Sequence, residues 1–123
     1  MFVQPFIASV LDEGEVSLLY FGGAYSHAVR KRARQGDYRA QDHHGGSLEA
    51  HAATAREQAV ARLALRQAPG LPLLGRVDLV SIDGQPHLIE LELIEPALFL
   101  AAAPGACERL ADAVIADLLR HPA

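Results

Sequence analysis

Three carboxylates late in the chain, Asp78, Glu90 and Glu92, are spaced so that a hairpin could gather them. The run LIELELIEP alternates with a period of two, setting Ile89, Leu91 and Leu93 on one side and Leu88, Glu90, Glu92 and Ile94 on the other. Such alternation reads as a strand with one wet face. Asp78 lies twelve residues before Glu90, across a turn at Asp83-Gly84. The phase of that hairpin decides the outcome. A two-residue turn pairs Ile82 with Gln85, hence Asp78 with Ile89, and the acids do not meet. An odd loop pairs Asp78 with Glu90 or Glu92 and brings all three to one face. Like charges so close persist when a cation sits among them, and oxygen-only ligands favour magnesium or manganese. The alternative is a solvated acidic face with Arg76 as its neighbour. Spacing alone leaves both readings open.

The elements that must position these acids are legible in outline. FVQPFI is short, apolar and β-rich, and its proline places it at an edge or in a crossing segment. EVSLLYF and AYSHAVRK read as two strands joined by Gly22-Gly23. RARQGDYRAQDHHGGS has no apolar period and reads as a long loop, a kind usually functional or disordered. His51 to Gln67 reads as a helix with Ala59 and Leu63 on its apolar stripe, ended by APG. A second hairpin spans residues 74–95. The segment from Gly105 to Leu119 repeats an apolar stripe through Leu110, Val114 and Leu118, again as an amphipathic helix. Antiparallel strand pairs with helices between them predict an α+β domain, its helices packed on one sheet face. No repeat or linker divides the chain, so residues 1–123 are expected to form a single domain.

Composition narrows the function classes. At 123 residues, half of them apolar, the chain can bury one core. A net charge of −4 argues against binding nucleic-acid phosphates, and the short basic run RKRARQGDYR does not reverse that. The single cysteine, Cys107, forms no internal disulfide, which fits a reducing interior. The N-terminus has no secretory pattern, and ALFLAAAPGA is far shorter than the ~20 residues of a spanning helix, so no membrane partner is expected. A cytoplasmic location is the expectation. Lys31 is the only lysine among mostly arginine cations.

Taken in order, QPFIASVLDEGEVSLLYFGG, GDYRAQDHHGG, RVDLV and LIELELIEP resemble the C-terminal half of an ATP-grasp ligase, most closely the bacterial glutathione synthetase type. The likeness runs from about Gln4 to Phe99. It implies that Gln4, Phe6 and Ile7 form the hinge against adenine, and that Glu15, with Glu13 as a rival, binds ribose hydroxyls. It implies that Arg39 reaches the phosphates as a catalytic residue and that Gly45 and Gly46 lie near the acceptor substrate. The adjacent His43 and His44, whose side chains tend to diverge and so do not suit one metal, are read as substrate contacts. It implies that Asp78, Glu90 and Glu92 hold the magnesium ions (or manganese) that bridge the ATP phosphates. Two departures stand out: Glu92 replaces an asparagine, and Ser17 replaces a basic residue, leaving Lys31 or Arg30 to supply that phosphate contact.

The family holds nucleotide between two halves, and the lysine and glycine-rich loop of the other half are not identifiable here. The resemblance therefore implies a fragment of a longer, ATP-dependent carboxylate–amine ligase acting through an acyl phosphate. Its partners would be ATP, small carboxylate and amine substrates, and the missing N-terminal half. The chain alone is expected to be inactive. The competing expectation is a degenerate, non-catalytic module on the same fold, self-associating or docking through its exposed edge.

Overall fold

The computed structural model describes residues 1–33 and 46–123. Residues 1–8 form neither strand nor helix and lead into a short helix, α1 (Ser9–Asp12). Strands β1 (Glu15–Phe21) and β2 (Ala24–Arg32) follow, then β3 (Ser47–His51) and helix α2 (Ala55–Leu65). The second hairpin is β4 (Leu74–Ile82) with β5 (Gln85–Glu92); a 3-10 turn (Leu100–Ala102) and helix α3 (Ala106–Arg120) close the chain. The five strands among the described residues join one antiparallel sheet in the order β3-β2-β1-β4-β5. The α+β expectation therefore holds. Among the described residues no helix is long and apolar enough to cross a membrane.

The core lies where α2 meets the sheet. Val16, Leu18 and Tyr20 of β1 alternate inward with Ala28, Val77 and Leu79, against Ala61 and Ala64 of the helix. Leu18 is wholly buried there, and burying such a side chain stabilises by about 1.5–3 kcal/mol. Small alanines on α2 let the helix lie close to the β-branched and leucine side chains beneath it. The expected stripe through Ala59 and Leu63 is displaced: both are exposed, and the buried stripe runs through Ala61 and Ala64 with Val60 and Leu65 beside it. On α3, Leu110 and Val114 are half-buried as expected, whereas Leu118 faces solvent.

The helix expected from His51 begins four residues later. His51 is the last residue of β3, paired with Ala28. The start is fixed by Thr54, whose hydroxyl accepts from Glu57 N–H at 3.1 Å while Glu57 returns the contact to Thr54 N–H at 2.8 Å. Such a cap contributes about 1 kcal/mol. Strand β3 was not expected: Ser47 falls in the expected loop and His51 in the expected helix, and SLEAH, almost entirely exposed, shows no clean alternation.

The second hairpin corrects the phase argument. Asp83 and Gly84 both have positive φ, 52° and 73°, forming a two-residue turn with Ile82 opposite Gln85. An odd loop was the stated condition for the acids to meet, and the loop is even. They face one another nonetheless, because a β-bulge shifts the register. Leu79 pairs with Leu88, Asp78 pairs with Glu90, and Ile89 is left over. An extra residue in one strand changes the phase just as an odd loop does. Ile89, expected in the core, is instead the partly exposed bulge residue, while Leu91 packs against the core.

Candidate functional site

Opposite the α2 face, the sheet carries a cluster of charge. Residues two apart on a strand share a face, so β4 presents Arg76 and Asp78 together, and β5 sets Glu92 and Glu90 against them. From β1 and β2 come Ser17, paired with Asp78, and the facing couple Glu15 and Lys31.

Asp78 is the centre, only 2% exposed. Arg76 donates to both its oxygens, from Nε at 3.0 and 3.2 Å and from Nη2 at 2.9 Å. Ser17 Oγ donates to Oδ1 at 2.6 Å. Lys31 Nζ stands 3.9 Å from Asp78 Oδ2 and 3.6 Å from Glu15 Oε2. Arg76 also reaches Glu90 at 3.6 Å, whose side chain is half exposed. Glu92 Oε1 accepts the Ile94 N–H at 3.1 Å. Burial alone would lower the Arg76 pKa, but Asp78, with Glu90 and Glu92, more than offsets this and holds it raised. Burial pushes the Glu15 carboxyl up; Lys31 opposes this, while Asp78 and Glu90 add to it.

The other residues singled out from the sequence fall in four groups. Gln4 and Phe6 are exposed and Ile7 is half-buried, all in the irregular segment before α1. Arg39, Gly45, His43 and His44 lie outside the described residues. Gly46 has a packing reason: a Cβ there would stand 2.4 Å from the Arg32 carbonyl oxygen, so the start of β3 passes too close to β2 for any side chain. Arg30 donates to the Glu13 carbonyl oxygen at 2.6 Å and pairs with Val16, on the sheet face opposite the acids. A cavity of about 490 Å³ opens between Glu13, Arg30, Thr54 and Arg56, and none of Asp78, Glu90 or Glu92 lines it.

Among the described residues, four acids (Glu15, Asp78, Glu90, Glu92) against two cations (Arg76, Lys31) leave two negative charges in surplus when all are ionised. Oxygen-only donors with that surplus suit a hard divalent cation in chemistry. As arranged, however, Arg76 and Lys31 stand among them, and no group of three His, Cys, Asp or Glu side chains among the described residues is set to hold a metal ion. Arg76 is the member that sequence reading underused, although its spacing of two from Asp78 placed it on the same face. Phe99 was missed altogether. Its backbone is left-handed, φ 49°, and its ring centroid lies 5.8 Å from Lys31 Nζ.

No family model matches the chain. Over 124 aligned positions it is 39% identical to the cycloserine biosynthesis protein DcsG of Streptomyces lavendulae, covering 91% of this chain and 40% of that protein. The crystal structure of D-cycloserine synthetase DcsG superposes with a TM-score of 0.77 at 32% identity, over 94% of this chain and 41% of that one. The D-alanine–D-alanine ligase of Bacillus anthracis, in complex with ATP, gives a TM-score of 0.59 at 21% identity over 86% of this chain and 38% of the ligase, a likeness of fold alone. The fold is that of the C-terminal subdomain of ATP-grasp ligases. The chain spans about two fifths of the length of the curated relative it matches.

Proposed function

We propose that this chain is the ATP- and magnesium-binding C-terminal part of an ATP-grasp ligase that joins a carboxylate to an amine. The observation that carries this reading is the bulge at Ile89, which sets Glu90 opposite Asp78 on the face that also bears Glu15 and Lys31. A sheet needs no such irregularity to expose acids to water. The 39% identity to DcsG supports the same class. The likeness to a cycloserine biosynthesis protein supports a small amino-acid-like substrate; the finer likeness to the glutathione synthetase type rests on motif order alone, and Ser17, bonded to Asp78, departs from it.

In this reading Asp78, Glu90 and Glu92 would hold magnesium, which when bound neutralises phosphate charge. Lys31 and Arg76 supply fixed positive charge beside the carboxylates, and Glu15 would accept from ribose hydroxyls. Gln4, Phe6 and Ile7 would border adenine, Arg39 would meet the transferring phosphoryl group, and Gly45 and Gly46 would lie near the acceptor. The γ-phosphoryl group passes from ATP to a substrate carboxylate oxygen, leaving ADP. The amine nitrogen then attacks the acyl carbon, phosphate departs, and the nitrogen loses a proton. Catalysis rests on positioning and charge neutralisation, with no protein nucleophile. The rest of the nucleotide site would come from an N-terminal half, without which the chain is inactive.

Glu90→Gln in the full-length parent should abolish most magnesium-dependent ATP turnover. Unchanged turnover would remove the metal assignment. A second reading, a non-catalytic binding or assembly module, is favoured by one observation: both Asp78 oxygens are already engaged by Arg76 and Ser17. It predicts that nucleotide and magnesium give no heat in calorimetry.

A further inference from the structure

His27 is a buried polar group that the proposed reaction does not use. It is 5% exposed, on the same face of β2 as Lys31, four residues away. Its Nε2 lies 2.9 Å from the Leu98 carbonyl oxygen, and its Nδ1 lies 2.7 Å from Ser26 Oγ. A carbonyl only accepts, so Nε2 must carry the proton. Ser26 Oγ accepts from Arg109 Nε at 2.9 Å, which leaves its own hydrogen for Nδ1. Every group in the chain Arg109–Ser26–His27–Leu98 is then satisfied by one arrangement of protons, with the imidazole neutral. Burial pushes the His27 pKa down, in keeping with that state.

The chain has a mechanical consequence. Leu98 belongs to the segment between β5 and the 3-10 turn, which has no ladder of its own. The next residue, Phe99, holds a left-handed backbone that costs a non-glycine residue about 1–2 kcal/mol. A strained residue persists where its surroundings over-determine it. Here the His27 bond grips the carbonyl immediately before it, and the Phe99 ring comes to rest 5.8 Å from Lys31 Nζ.

We propose that His27 is a positioning residue whose clasp on Leu98 seats Phe99 against Lys31, walling one side of the carboxylate–cation cluster so that a phosphate-bearing ligand enters from the half-exposed Glu90 side. The clasp and wall stand on the contacts alone. The ligand rests on the ATP-binding reading above.

Lys31 is the only lysine, so its amine labelling is read without interference except from the N-terminus. In the chain itself, acetylation of Lys31 followed by mass spectrometry should accelerate several-fold in Phe99→Ala and in His27→Ala. His27→Gln, whose amide can still donate to Leu98, should restore the slow rate. Long-range proton–nitrogen NMR of the unsubstituted chain should show His27 protonated at Nε2. A proton on Nδ1, or a slow labelling rate kept in folded His27→Ala, would overturn the clasp. Equal fast labelling of His27→Gln and His27→Ala would also overturn it. Adding ATP with magnesium is a separate arm: protection of Lys31 supports the ligand, and its absence counts against the nucleotide reading while leaving the clasp to the other results.

Discussion

Both hairpins turn on two residues with positive φ, Gly22-Gly23 and Asp83-Gly84, and both carry one extra residue on the returning strand. In the first the extra residue is Ser26, one pair beyond Tyr20 and Tyr25; in the second it is Ile89, between Leu88 and Glu90. The two irregularities do different things. Ser26 contributes a hydroxyl that takes the Arg109 bond and faces His27. Ile89 has no polar side chain to aim, and what matters is the residue after it, which arrives on the face of Asp78. One bulge aims a side chain, and the other changes which face a strand shows.

The largest expected effect comes from the centre of the second hairpin. Asp78→Ala leaves the Arg76 guanidinium and Lys31 beside a vacated buried carboxylate, and should cost about 3–5 kcal/mol in urea unfolding. Glu90→Ala, removing a half-exposed partner, should cost less than about 1 kcal/mol. Similar losses for both would mean that the cluster is not centred on Asp78.

Deleting the extra residues separates the two roles. Without Ile89 the ladder closes with Asp78 still opposite Glu90, so stability should change little. Without Ser26 the ladder also closes, but Arg109 loses its acceptor and His27 its donor, at about 1–3 kcal/mol. A larger loss for the Ile89 deletion would reverse the comparison. The turns themselves should differ by less. Gly84→Ala meets open space and only the φ strain, about 1 kcal/mol, while at Gly23 a Cβ would also stand 2.6 Å from Leu71 Cδ1, so Gly23→Ala should be the costlier in thermal melts.

The smallest effect is in pH. The folded pKa of His27 is lowered below its ordinary 6.5, so between the two values the unfolded chain binds more protons. Stability should therefore fall as pH drops through about 6.5 and level off below the folded value. His27→Gln should flatten that part of the profile. A profile unchanged by the substitution would place the dependence elsewhere.

Much of this architecture was legible because turn chemistry is local. Gly-Gly and Asp-Gly between β-rich runs admit few alternatives, and both hairpins were placed by them. The bulges were not legible, since Ser26 and Ile89 look like ordinary members of alternating strands. The register follows from tertiary packing: with Ile89 skipped, Leu91 reaches the core and Glu90 escapes it. Strand β3 was hidden for a related reason, being an edge strand with little to bury. The Thr54–Glu57 spacing did announce the true start of α2 and was available in the sequence. The left-handed Phe99 had no such signal, because the contact that holds it comes from His27, seventy-two residues earlier.

The central claim is that the bulged face receives nucleotide with magnesium. Titrating the isotopically labelled chain with magnesium ATP, and following backbone amide shifts, tests it directly. The account predicts magnesium-dependent changes at Glu15, Ser17, Lys31, Arg76, Asp78 and Glu90, while Ala61 and Ala64 in α2 stay still. No change on those strands, or changes confined to the cavity beside Glu13 and Arg56, would contradict it.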